Sequence, residues 1–242
     1  MKVSHCRHWA TMCNEATTMN WTDEEIVVID FETTGTNPAN CMPVQIAAVR
    51  YAPFASGQLV ELDAFCTLLN PGCPIPPDAT AIHGKTDAMV QGAPPLEAVL
   101  EALAQTAGAA LPCAYNAPYD SAILHRYTGV HAAELGLASP DKLTTRAYQP
   151  QQTWVDPMVI VRKVDRDVVA PGKNKLMNAC IRHGVRVDGN AHDALTDCRA
   201  TGGLLLALHK KGLVKRCPTA ALLKHTVEMR AEQARALRRY RR

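Results

Sequence analysis

An apolar segment that ends in two acids, IVVIDFETTGTN at residues 26–37, constrains the fold of this chain most strongly. Its Val and Ile residues are typical of a buried β-strand, and the Thr, Gly and Asn residues that follow indicate a turn. Side chains alternate between the two faces of a strand, so Asp30 and Glu32 point to one face and Phe31 to the other. An otherwise buried strand therefore places two carboxylates on one small patch.

Carboxylates this close repel each other, and each raises the pKa of the other unless a cation or hydrogen-bond donors compensate the charge. Oxygen ligands of this kind suit Mg²⁺ or Mn²⁺, so one interpretation is a divalent-metal site. The alternative is that the strand leaves the core here, with Asp30 and Glu32 exposed to solvent. The pair alone does not decide between them, and further acids are needed.

The order of the apolar segments predicts a mixed α/β sheet covered by helices. Three successive strands are followed by alternating helix and strand and then by helices, which is typical of an α/β domain. A stretch rich in Pro and Gly after the third strand predicts a loop with a short helix that starts after Pro77. The predicted strands are 26–31, 43–51, 58–69 and 110–116, and the longer predicted helices are 93–108, 118–127, 154–164, 174–185 and 193–211.

A third acid, Asp120, lies near the start of a predicted helix that follows a buried strand. The carboxyl ends of strands in α/β sheets are where functional residues gather, although an Asp at a helix start is usually a cap. Asn116 lies where it could orient Asp120. On its own, Asp120 is therefore weak evidence for a functional site.

The segment NAHDALTDCRATGG places His192 and Asp197 five residues apart. On a continuous helix this separation is roughly 140° around the axis, so the two side chains would not share a face. We therefore expect His192 in the loop or first turn, close to Asp197, with Asp193 as the helix N-cap. Gly202 and Gly203 indicate close packing of this helix.

The segments VIDFETTG, YNAPYDSAIL and AHDALTDCRATGG, in this order, resemble the three exonuclease motifs of the DEDDh family of 3′→5′ exonucleases. This family includes the epsilon proofreading subunit of bacterial DNA polymerase III. The resemblance covers about residues 25–210. It implies a ribonuclease H-like α/β fold, with a mixed five-stranded sheet flanked by helices, and phosphodiester hydrolysis with two Mg²⁺ ions, or Mn²⁺ in their place.

The resemblance also implies roles for five residues. Asp30 would bridge the two ions, Glu32 and Asp197 would hold the ion that carries the attacking water, and Asp120 would bind the second ion largely through water. His192 would be the general base that deprotonates that water. An imidazole that is neutral near about pH 7 is suited to accept the proton.

Four further residues form the predicted substrate-binding set. By the same resemblance, Thr33 would meet the 3′ end of the terminal nucleotide, and Ile82 and His83 would lie against its base; Asn116 completes the set. For His83 the alternative is a structural turn histidine before Gly84.

Two positions depart from the pattern of the polymerase subunit. Gln45 stands where that subunit typically has Glu, and Pro118 precedes Tyr119. Neither is a metal position. The C-terminal tail also contains no evident clamp-binding or polymerase-binding peptide, so the sequence does not support a polymerase partner.

Charge divides the chain unevenly. From Lys210 to Arg242 there are eleven Lys and Arg against two Glu, a net charge of +9 that leaves −6 for the rest of a chain whose total is +3. We expect a flexible leader at 1–24, an exonuclease domain at 25–211 and a basic, helical tail at 212–242. The tail is suited either to bind nucleic-acid phosphates or to remain a solvated charged helix.

Other classes of protein are disfavoured by the sequence. Nine scattered cysteines without a C-x-x-C pair argue against a disulfide framework or a zinc ribbon. No apolar run approaches roughly 20 residues and no signal-peptide core is present, so we expect a cytoplasmic protein with no membrane partner. An N-terminal zinc site is a distant alternative, because the spacing of its ligands fits no tetrahedral motif. Those ligands would be His5, Cys6, His8 and Cys13.

The leading hypothesis is a metal-dependent 3′→5′ exonuclease that releases nucleoside 5′-monophosphates from single-stranded DNA, in proofreading or repair. The first alternative is an exoribonuclease of the ribonuclease T or oligoribonuclease type. The second is a nucleic-acid-binding module without catalysis, which would have no need of five converging acid and His groups.

Overall fold

The computed structural model describes residues 19–134, 154–165 and 172–240. The possible N-terminal zinc ligands, most of the predicted leader, and Arg241 and Arg242 lie outside these ranges. The described strands are β1 (Ile26–Thr33), β2 (Pro43–Tyr51), β3 (Glu61–Leu68) and β4 (Leu111–Cys113). The α-helices are α1 (Pro77–His83), α2 (Asp87–Val90), α3 (Leu100–Ala107), α4 (Ala117–Glu134), α5 (Pro157–Val164), α6 (Leu176–His183), α7 (Ala194–Lys210) and α8 (Thr219–Tyr240). Short 3₁₀ helices lie at Trp21–Asp23, Phe54–Ser56 and Leu96–Val99.

The four described strands form one mixed sheet in the order β3-β2-β1-β4. Strand β1 runs antiparallel to β2 and parallel to β4, and β2 runs antiparallel to β3. The predicted α/β fold with helices flanking a mixed sheet is therefore confirmed. The central position of β1 places its side chains between layers of helices.

The prediction of five strands was wrong for the described residues. Next to β4, Val155 forms only an isolated parallel bridge with Cys113, in which its N–H donates to the Pro112 carbonyl at 2.8 Å. Two residues later Pro157 begins α5. Proline has no N–H to continue a ladder and favours the first turn of a helix, so the pairing ends after one residue.

The alternating side chains of β1 enter two separate cores. Ile26 and Val28 belong to a buried cluster that includes the Leu residues of α7, whereas Val27 and Ile29 pack in the cluster on the side of α3 and α4. Helix α7 approaches the sheet closely at Gly202, where an added Cβ would lie 2.6 Å from the Tyr51 ring. Glycine permits this contact, which confirms the predicted close packing.

The C-terminal helix α8 packs against α5. Asp156, with none of its surface exposed, forms an ion pair with Arg230 at 2.9 Å. The same carboxylate caps α5 by accepting from the Met158 N–H, and it accepts from the Asn116 N–H at the turn before α4. None of the described helices is both long and apolar enough to cross a membrane.

Substitution of Arg230 by Met should destabilise the fold by about 3 kcal/mol, because removing one partner leaves the buried Asp156 carboxylate without its compensating cation. Urea unfolding of the variant and the wild type measures this difference. Arg238→Met, at an exposed position further along α8, is the control and should leave the free energy of unfolding unchanged. Equal stability of R230M and wild type would show that the Arg230–Asp156 pair does not hold α8.

Candidate active site

The two acids of β1 lie near its carboxyl end. In the antiparallel ladder Asp30 is opposite Ala47, and Glu32 is opposite Gln45 of β2. Strand β4 runs parallel to β1, so the turn after β4 and the start of α4 lie at this same end of the sheet. This geometry brings Asp120, in the first turn of α4, beneath β1, where the Phe31 N–H donates to its Oδ1 at 3.2 Å.

Helix α7 brings the third motif to the same place. Asp197 lies in its first turn, and the Asp193 side chain accepts from the Thr196 N–H, which confirms Asp193 as the N-cap. His192 precedes the helix with φ of 63°, so the expectation that it lies in the loop is also confirmed. Helix α7 is fixed to the sheet by Cys198, whose thiol lies 3.4 Å from the Val28 carbonyl oxygen.

Three of the predicted residues come together as a possible metal site. Glu32, His192 and Asp197 each offer one ligand atom, and these atoms lie within 4.8 Å of one another. Asp30 and Asp120 are not part of this triad. Both are close enough to act on the same charges, because the pKa of Asp30 is raised first by burial and then by the negative charges of Asp120, Asp197 and Glu32.

The pKa values of all four acids are raised, first by burial and then by neighbouring carboxylates, which include Asp193 and Asp156 as well as the four themselves. Burial raises the pKa of Asp120 well above its usual range, although the hydrogen bond from the Phe31 N–H opposes this. The pKa of Glu32 is raised to about 7 by burial and by Asp197. The pKa of Asp197 is raised to about 6 by burial, against a backbone hydrogen bond from His192. The positive charge of Lys85 lowers the pKa values of Glu32 and Asp197 but does not offset the effect of burial, so the four carboxylates are only partly compensated.

A divalent cation fits this donor set. Oδ1 of Asp197 is buried and has no hydrogen-bond partner among the described residues. Carboxylate oxygens with an imidazole nitrogen are ligands for Mg²⁺ and Mn²⁺, and a bound cation would reverse the repulsion that raises the pKa values. The alternative that Asp30 and Glu32 are simply exposed at the end of a strand is disfavoured, because only 8% of Glu32 is exposed and Asp30 is partly buried.

His192 differs from the acids because it is more accessible. Burial and the positive charges of Lys175 and Lys85 lower its pKa below the usual value for histidine. The imidazole is therefore neutral near about pH 7 and can accept a proton.

A cleft of about 500 Å³ lies beside His192, between the end of α1 and the start of α7. Ile82, which is 56% exposed, and His83 both line it. The Nδ1 atom of His83 accepts from the Lys85 N–H at 3.0 Å, a contact that also suits the alternative of a turn histidine. The cleft is linked to the acids through His192, which lines it and lies close to Glu32 and Asp197.

The other two residues of the predicted substrate-binding set lie at different places. The Thr33 hydroxyl donates to the Gly35 carbonyl at 2.7 Å and lies 2.5 Å from the Tyr119 hydroxyl, so it is committed to the turn after β1. Asn116 is exposed, with φ of 76°, in the turn before α4. Whether either contacts a nucleotide remains a prediction.

Sequence reasoning missed two residues that contact the third motif. Lys85 reaches the backbone of His192 at 3.1 Å, and Gln45, which stood out only as a departure from a pattern, contacts Asp193 at 3.0 Å. The sequence gives no signal for Lys85 beyond its place after Gly84, in a segment that otherwise looks like a loop.

Comparison with known proteins gives consistent results. Residues 27–205 match the RNase T exonuclease family. The uncharacterized exonuclease CP81 of Escherichia phage 186 is 32% identical over 198 residues, which cover 79% of this chain and 92% of that protein. A DNA polymerase III subunit epsilon-like protein of Rhodobacter capsulatus is 46% identical over 101 residues, 41% of this chain but 14% of that protein.

Solved structures share the fold at lower identity. Exonuclease X, in complex with 5′ overhanging duplex DNA, superposes with a TM-score of 0.56 at 24% identity and covers 82% of this chain and 99% of its own. The nuclease domain of 3′hExo, a DEDDh family member bound to rAMP, gives a TM-score of 0.59 at 17% identity and covers 80% of this chain and 96% of its own. These structures match the sheet and flanking helices described above.

Proposed function

Because the chain belongs to the RNase T family of exonucleases, we propose that it is a metal-dependent 3′→5′ exonuclease that releases nucleoside 5′-monophosphates from single-stranded DNA. The observation that carries this proposal is the convergence of four carboxylates and one histidine at the carboxyl end of β1, contributed by three separate segments of the chain. A module that only binds nucleic acid would gain nothing from this costly concentration of buried negative charge.

We propose that Asp30, Glu32, Asp120 and Asp197 hold two divalent metal ions, with Mg²⁺ as the first candidate. Bound there, the ions supply positive charge for the entering and leaving oxygens of an in-line displacement at phosphorus. The protein's own part is to hold the ligands rigidly. Phe31 does so for Asp120 through its backbone N–H, and the cap at Asp193 fixes the first turn of α7 under Asp197.

His192 is proposed as the general base that removes the proton from the attacking water. Its lowered pKa and its position in a turn beside the cleft support this role, because a base must be neutral and must reach the reacting water. Its closeness to Glu32 and Asp197 also suits a metal ligand. A general base and a metal ligand predict different dependences of the rate on Mg²⁺ once His192 is replaced.

The proposed substrate contacts come from the cleft, from two turns and from helix α8. Ile82 and His83 at the cleft would contact the terminal base, and Thr33 and Asn116 would lie near the 3′ end. The exposed Arg235 and Arg238 of α8 would contact phosphates further along the strand. The proposed exonuclease unit is 25–211, and 1–24 and 212–242 are its leader and basic tail.

DNA is proposed over RNA because the epsilon-like relative from Rhodobacter capsulatus is named for a DNA polymerase subunit. Solved structures with this fold include a complex with DNA and one, at 15% identity, described as 3′-end-specific recognition of a histone mRNA stem-loop. The fold therefore does not distinguish a DNA substrate from an RNA substrate, and an exoribonuclease is the second candidate.

Digestion of matched DNA and RNA oligonucleotides tests the substrate and the direction. Each strand carries a 5′ label and is offered single-stranded and paired, with Mg²⁺. We expect single-stranded DNA to give a ladder of shortened products that retain the label, at a rate at least about tenfold above RNA, a preference of about 1.4 kcal/mol. Faster digestion of RNA would identify an exoribonuclease, and immediate release of a labelled mononucleotide would show the opposite polarity.

A further inference from the structure

The backbone of His192 adopts a conformation that its neighbours must maintain. Its φ of 63° lies in the left-handed region, which residues other than glycine rarely adopt. Such a conformation persists when surrounding contacts hold it, and it is most common at functional sites. The contacts on either side of His192 therefore determine where its imidazole points.

The first of these contacts is a buried lysine. The side chain of Lys85 is only 8% exposed, and its Nζ donates to the His192 carbonyl oxygen at 3.1 Å and lies 3.4 Å from Oδ2 of Asp193. A buried ammonium group needs such partners to offset its lost hydration. Lys85 comes from the loop between α1 and α2. It therefore connects the side of the cleft that carries Ile82 and His83 to the turn that contains His192.

The second contact comes from β2. Gln45 donates through Nε2 to Oδ2 of Asp193 at 3.0 Å and accepts through Oε1 from the Ala194 N–H at 3.1 Å. An amide can donate and accept at once, whereas a Glu here could accept from Ala194 but would repel Asp193. Because Gln45 is opposite Glu32 in the sheet, this contact also sets the turn relative to the metal-binding strand.

We infer that Lys85, Gln45 and Asp193, here called the His192 clamp, hold the imidazole of His192 toward the acids, and that Lys85 is a positioning residue for the reaction. This inference rests on the proposed function of His192. Lys85 acts through the backbone of His192 and touches no reacting atom. Through Lys85, helix α1, whose Ile82 and His83 would contact the terminal base, is connected to His192, which would accept the proton.

The test compares Lys85→Met with a matched control. Lys211 also donates its Nζ to a histidine carbonyl, that of His183, at 2.7 Å, but it lies beyond the far end of the 17-residue helix α7, about 25 Å from the site. K85M should lower kcat by about 10- to 100-fold, as is usual for residues that orient others in a site. The KM of K85M should stay close to that of the wild type. K211M should keep full activity. Lys85→Arg should lose less of kcat than K85M does.

A second measurement does not depend on activity. Amide hydrogen exchange, read by mass spectrometry on peptides that cover residues 190–194, should accelerate in K85M and in Gln45→Leu, while peptides from β1 and α8 stay protected. Unchanged exchange and unchanged kcat in K85M would overturn the clamp. A rise in KM alone would also overturn it, because Lys85 would then contact the substrate. Faster exchange in an enzyme for which the wild type shows no nuclease activity would refute the proposed function and leave the clamp as a structural device.

Discussion

The Asp30→Asn variant is expected to lose more than about 10³-fold of the exonuclease rate, because the charge stabilisation that bound metal supplies is worth several kcal/mol. Asn has the same shape as Asp but lacks the negative charge that holds a divalent cation among Asp120, Asp197 and Glu32. The rate of mononucleotide release from labelled single-stranded DNA, at saturating Mg²⁺, measures the loss.

The variant should nevertheless fold. The pKa of Asp30 is raised by burial and by its acidic neighbours, so the charged carboxylate is unfavourable in the metal-free protein. Thermal unfolding without metal should therefore occur at the same or a higher temperature in D30N than in the wild type. Asp188→Asn, at an exposed acid paired with Arg186, is the matched control and should keep full activity. Retention of more than about a tenth of the rate in D30N would remove Asp30 from the site, since a tenfold change is only about 1.4 kcal/mol.

The His192→Asn variant is expected to lower kcat by about 10²- to 10⁴-fold, the usual contribution of general acid–base catalysis. Asn is chosen because it tolerates the left-handed backbone better than other residues do, so the turn before α7 is preserved. Rates are measured over a range of Mg²⁺ concentrations. A general base predicts a lower kcat at an unchanged half-maximal Mg²⁺ concentration.

A shift of that Mg²⁺ midpoint would instead make His192 a metal ligand, which its closeness to Glu32 and Asp197 allows. His125→Asn, at an exposed position of α4, is the control and should behave as the wild type in both respects. An H192N enzyme with an unchanged kcat would contradict both roles.

Much of the fold follows from local pattern. Strand β2 was predicted with the observed ends, Pro43–Tyr51, because its apolar run is bounded clearly on both sides. The number of strands was not predictable in this way. Val155 has the residue type of a strand, but the Pro157 that follows stops the pairing after one bridge.

The candidate site likewise contains residues that local sequence predicts and contacts that it does not. Asp30 and Glu32 were found from strand alternation, and His192 was placed before α7 from helix geometry, since both arguments need only neighbouring residues. The contacts that hold the site were not found. Lys85 and Asp193 are separated by 108 positions, and Arg230 and Asp156 by 74. Such pairs depend on how distant segments pack against each other, and the spacing of residues along the chain does not predict this packing.

Digestion of single-stranded DNA in water enriched in heavy oxygen tests the central claim most directly, with the products identified by mass spectrometry. Attack of water at phosphorus, with the 3′ oxygen of the preceding nucleotide as the leaving group, places one heavy oxygen in the 5′-phosphate of each released mononucleotide. We expect these labelled 5′-monophosphates to form with Mg²⁺ and to be absent with a chelator. Products that carry a 3′-phosphate, or full activity in the chelator, would contradict the account.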